Sequence, residues 1–114
     1  LILGDMLELG QFSSDEHEKL IPIIEEVKPR LFIGVGRQMS IIGKSLKSNY
    51  ETLCFKNSYE AKNTVPKLIK NNDLILVKGS NGMNLSKITQ AINLHFKTFE
   101  KNHLLSSKAN SYAI

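Results

Sequence analysis

The chain has 114 residues, 41% of them hydrophobic, and a formal charge of +4. That length and apolar content suit one domain with its own core. No apolar run approaches the roughly 18 residues of a membrane helix, and no basic-then-apolar leader opens the chain. The positive excess comes from dispersed lysines such as Lys44, Lys47, Lys62, Lys67 and Lys70, without interleaved aromatics, which speaks for a solvated surface and against a nucleic-acid site.

Leu1 already lies in an apolar run, Leu1 to Leu3, that reads as a strand, so the sequence reads as cut from a longer polypeptide. Ser13 with Glu16 three residues on makes a capping box, and Leu20, Ile23, Ile24 and Val27 then repeat at helical spacing as one buried stripe. Pro22 conflicts with that helix by removing a donor and predicts a kink or early break, and Pro29 ends it. Leu31 to Val35 reads as a second strand, followed by a helix marked by Met39, Ile42 and Leu46. Glu51 to Phe55 reads as a third strand. Cys54 within it is the single cysteine, so no intramolecular disulfide can form, and it reads as a small buried thiol in a reducing cytoplasm.

Asn57 or Ser58 caps a third helix marked by Ala61, Val65, Leu68 and Ile69, with Pro66 repeating the Pro22 conflict. Asp73 to Val77 is the most continuous apolar strand, predicted to be central and covered on both faces. Leu85, Ile88, Ile92, Phe96 and Phe99 mark a last helix with Asn84 as its cap. Alternating strands and helices predict an α/β class, a Rossmann-like parallel sheet with helices on both faces. The domain is expected over residues 1–96, with 97–114 as the end of the last helix and an unstructured polar tail.

Ligands of open parallel sheets sit at the carboxyl ends of the strands, where three loops qualify: GDMLELG, GVGRQ and KGSNGMN. GVGRQM begins like a dinucleotide fingerprint but has Met39 where the third glycine belongs. Gly43-Lys44-Ser45 imitates the end of a phosphate loop, yet Gln38 stands where its first glycine is needed. KGSNGMN has the chemistry for a carboxylate or phosphate: Lys78 leaves a buried strand, Gly79 and Gly82 permit tight turns, and Ser80 and Asn81 add short polar groups before a helix. Asp5 and Glu8 in the first loop could bind an ammonium group, orient Lys78, or cap a turn. His17, His95 and His103 are dispersed and give no metal-ligand spacing, and His17 reads as a solvent-facing or packing residue. The residues alone stop at a strand-end rim able to hold a small zwitterion or nucleotide.

Taken together, GDMLELG, Ser13 to His17, Val35-Gly36 and LVKGSNGM resemble the C-terminal domain of Mur ligases, from Leu1 to about Phe96. The resemblance implies a domain of a cytoplasmic, ATP- and Mg2+-dependent ligase of peptidoglycan synthesis, in which an amine attacks an acyl phosphate. The substrates it implies are D-Ala-D-Ala and a UDP-N-acetylmuramoyl-tripeptide, and the partners are N-terminal and central domains of the same polypeptide. The central domain would carry the ATP loop, so this chain alone would be inactive. Within the resemblance, Asp5, Met6 and Glu8 form an acceptor-side or interdomain wall, and Lys78, Gly79 and Ser80 face the acceptor or the developing charge. Asn81 stands where the family often has arginine, which weakens anion binding there. The Asn/Asp-rich segment that precedes this strand in the family is missing, which implies an exposed edge or apolar patch. The alternative is a stand-alone Rossmann-like module that binds a small ligand or a protein without ligase activity.

Overall fold

Apolar residues of the strand Leu31–Val35 alternate between two cores, and that alternation organises the molecule. Phe32 joins Ile24, Met39, Ile42 and Leu46 on one face, while Leu31, Ile33 and Val35 join Ala61, Val65, Ile88 and Ile92 on the other. The computed structural model describes the backbone of residues 1–103 and 110–113, and side chains through residue 98. Its strands are β1 (Ile2–Gly4), β2 (Leu31–Val35), β3 (Glu51–Phe55), β4 (Leu74–Lys78) and β5 (Asn110–Ala113). Every pairing is parallel, in the order β3-β2-β1-β4-β5. Helices α1 (Ser13–Glu18), α2 (Leu20–Val27), α3 (Arg37–Leu46), α4 (Ser58–Thr64) and α5 (Ser86–His103) surround the sheet, giving the expected Rossmann-like α/β architecture. No helix among the described residues is long and apolar enough to cross a membrane.

The two prolines act where the expected helices divide. α1 ends at Glu18 and α2 begins at Leu20, so Pro22 is the third residue of α2, among amides that have no intrahelical acceptor. α4 stops at Thr64 and a 3-10 turn over Val65–Leu68 takes Pro66 at its start. Asn57 Oδ1 accepts from the Glu60 amide at 2.9 Å, as its position before α4 predicts. Lys28 closes α2 in the left-handed region, at φ 52°, just before Pro29.

Several expectations are corrected. The Ser13 capping box does not form, because a 3-10 turn over Gly10–Phe12 runs straight into α1 and the Ser13 amide donates to Gly10 O. Only Ile24 of the α2 stripe is fully buried, while Ile23 and Val27 are exposed. β4 has a neighbour on each side but is covered on one face: Ile75 and Val77 are buried, whereas Leu74 is 71% and Leu76 36% exposed. Cys54, on the edge strand β3, is exposed as a residue, but its Sγ lies against Gly34 and Gly43, and partial desolvation there pushes its thiol above the ordinary range. Asn84 does not cap α5; it ends a 3-10 turn over Asn81–Met83 at φ 57°. Part of the tail is ordered, since α5 continues to His103 and Asn110–Ala113 pair with β4. Phe99's packing and residues 104–109 and 114 of the tail lie outside the described residues.

Candidate functional site

The register of the central strands sets the site. Gly4 lies beside Val35 and Leu3 beside Lys78, so the loops after β1, β2 and β4 leave the sheet at one level. The rim they form is the carboxyl edge where parallel sheets hold ligands.

Asp5 is the first residue past β1. Its amide donates to Val35 O at 3.1 Å, continuing the ladder, and its side chain turns under the start of α3. There Oδ1 accepts from the Met39 amide at 2.8 Å and Oδ2 from the Gln38 amide at 3.1 Å. Both oxygens are thus engaged, the residue is only 8% exposed, and the negative charge sits at the positive end of the α3 dipole. Gly36 makes room for it: at φ 113° a Cβ there would stand 2.5 Å from the Asp5 carboxyl carbon. The second glycine of GVGRQ therefore serves this cap.

The Lys78 loop meets the first loop directly. Gly79 passes so close to β1 that a Cβ would lie 3.0 Å from Gly4 Cα. The Ser80 amide donates to Asp5 O at 3.3 Å, and the Leu7 amide donates to Ser80 Oγ at 2.9 Å. Leu7 closes the gap by lying over Gly82, where an added Cβ would meet its Cδ1 at 2.6 Å. Motifs about 70 residues apart are joined here by backbone and hydroxyl hydrogen bonds.

Lys78 is exposed and makes no ion pair among the described residues. It borders a cavity of about 220 Å³ with Ser80, Asn81, Asn84, Ser86 and Thr89, at the start of the 18-residue helix α5. Thr89 Oγ1 is buried without a hydrogen-bond partner among the described residues. Asn81 is exposed and opens the 3-10 turn. Met6 is half-buried, and Glu8 is exposed at the loop tip with φ 65°. The rim thus assembles Met6, Lys78, Gly79, Ser80 and Asn81, while the Asp5 carboxylate points away into α3.

Gly43-Lys44-Ser45 lies inside α3, with Gly43 buried, so it cannot wrap a phosphate. No group of three metal-ligating side chains occurs among the described residues. Their donor set fits neither a triphosphate-cradling loop of that type nor a carboxylate cage for Mg2+.

Of the two expectations for His17, the packing one holds, and the residue also hydrogen-bonds the first loop. It is 1% exposed, and its Nε2 accepts from the Met6 amide at 2.9 Å, so it is bound to the site loop. The one sequence hint was its i, i+4 spacing from Ser13, whose carbonyl oxygen lies 2.5 Å from Nδ1.

No family model matches the chain, and no solved structure matches it. Among curated proteins it is 37% identical over 87 residues to the UDP-N-acetylmuramoyl-tripeptide--D-alanyl-D-alanine ligase of Rickettsia prowazekii (strain Madrid E). The match covers 76% of this chain and 19% of that protein, so the chain spans about a fifth of the curated relative. By this similarity the chain is a relative of the Mur ligases.

Proposed function

We propose that this chain is the C-terminal, acceptor-receiving domain of a longer cytoplasmic ligase that joins D-Ala-D-Ala to UDP-N-acetylmuramoyl-tripeptide in peptidoglycan precursor synthesis. The observation that carries the reading is the meeting of the two loops: Ser80 binds both Asp5 O and the Leu7 amide, with Lys78 exposed beside a cavity lined by Ser80, Asn81, Asn84, Ser86 and Thr89. The named activity of the relative supplies the substrate class.

In this reading the domain binds and orients, and ATP and Mg2+ are held by segments outside these residues. The Lys78 ammonium and the positive end of the α5 dipole attract the dipeptide carboxylate. Ser86, Asn84 and Thr89 line the same cavity and offer it hydrogen bonds. Fixing the carboxylate leaves the amine of the dipeptide directed out of the rim toward the rest of the enzyme, which is an orientation effect on the rate. Met6 and Glu8 form the wall beside it, on the face open to other domains.

The test is Lys78→Met in the full-length enzyme. The KM for D-Ala-D-Ala should rise about tenfold or more, as expected for the loss of a charge-assisted bond, while the KM for the UDP-linked substrate stays put. Unchanged KM and kcat for the dipeptide would remove Lys78 from the acceptor site.

A further inference from the structure

The first loop is held at three consecutive points, of which two belong to Ser80 and the third to a buried histidine on α1. Asp5 O accepts from the Ser80 amide, Leu7 N–H donates to Ser80 Oγ, and between them Met6 N–H donates to His17 Nε2. An amide can only donate, so Nε2 must present its lone pair. On the other side of the ring, Nδ1 lies 2.5 Å from Ser13 O, which can only accept, so Nδ1 must carry the proton. Two independent contacts therefore require the same neutral tautomer. With the ring 1% exposed, water cannot replace either partner.

We infer that His17, as the neutral Nδ1–H tautomer, is the positioning residue of the strand-end loop: it clamps the Met6 amide to α1 and through Leu7 fixes where Ser80 presents the Lys78 loop. The histidine is not a catalytic residue, since its ring nitrogens are both engaged by the protein and neither reaches the rim cavity. Its link to acceptor binding rests on the function proposed above, whereas the clamp itself does not.

A pair of near-isosteric variants separates the clamp from simple core packing. His17→Gln can place a side-chain oxygen near the position of Nε2 and keep the Met6 bond, whereas His17→Asn reaches only the Ser13 side. In the full-length protein, residue-resolved hydrogen exchange at Met6 and Leu7 should rise about fivefold or more in His17→Asn and stay within about twofold of wild type in His17→Gln. The 15N shifts of His17 in the unsubstituted protein should show a protonated Nδ1 and a bare Nε2.

The opposite tautomer overturns the inference, as does unchanged loop exchange in His17→Asn. So does an equal rise in both variants that extends through β2 and α3, because that is the response to lost packing. The KM for D-Ala-D-Ala, measured alongside, should rise in His17→Asn and recover in His17→Gln. If loop exchange follows the predicted pattern and this KM does not move, the clamp stands and the acceptor-site reading fails.

Discussion

Asp5 shows how a residue type predicts polar work without naming the partner. A carboxylate just past a strand in a glycine-bounded loop has the chemistry to receive an ammonium group, and here it receives two backbone amides of α3 instead. The cap joins residues more than 30 positions apart, fixing α3 against the end of β1. Asp5→Ala leaves the buried Met39 amide and the half-buried Gln38 amide without their acceptor and should cost about 1–3 kcal/mol in urea unfolding. Asp5→Asn keeps one acceptor oxygen and should lose less. Equal stability of Asp5→Ala and wild type would mean that the α3 amides find another partner.

At the scale of elements, β4 carries the clearest asymmetry. Its alternate residues Ile75 and Val77 enter the core with Ile88 and Ile92, while Leu74 and Leu76 face outward. Ile75→Ala should therefore destabilise by about 2–4 kcal/mol, the range for a truncated core aliphatic. Leu74→Ala, in a side chain that is 71% exposed, should change stability in this chain by less than about 0.5 kcal/mol. A comparable loss from both variants, read by denaturant midpoint at fixed slope, would show that the outer face is covered in solution.

For the molecule as a whole, the far end of the sheet is tied by an ion pair. Arg30, just before β2, meets Asp73, just before β4, through Nε to Oδ1 at 3.2 Å and a second contact from Nη2 to Oδ2. The Lys70 amide also donates to Asp73 Oδ2 at 2.7 Å. Partial burial works against the charged form, yet the Arg30 and Lys70 hydrogen bonds outweigh it and hold the Asp73 carboxyl below its ordinary range. A carboxyl depressed in the folded state binds its proton more readily in the unfolded chain. Its stabilisation is therefore full above the unfolded carboxylate range, about pH 4, and is lost as pH falls through the lower folded value. Because Arg30 is well exposed, the contribution should be no more than about 1 kcal/mol. Arg30→Met should lose that amount near neutral pH, and its difference from wild type should shrink in acid; a constant difference would assign the effect to packing.

Local pattern determined much of this protein. Helical spacing placed Met39, Ile42 and Leu46 in the core, the Asn57 cap began α4, and strand–helix alternation required a parallel sheet. Such features depend on neighbours within a turn or a strand, so they are written in the sequence itself. Glycine chemistry also marked both rim loops. What tertiary structure alone decided was every pairing across distance: that β1 lies between β2 and β4, that Asp5 turns under α3, and that His17 holds Met6. An apolar run such as LILV reads alike whether one face or two is covered, and only the positions of the helices leave Leu74 and Leu76 outside. Residue type declares which hydrogen bonds a group can make, but the register of the sheet chooses the partner.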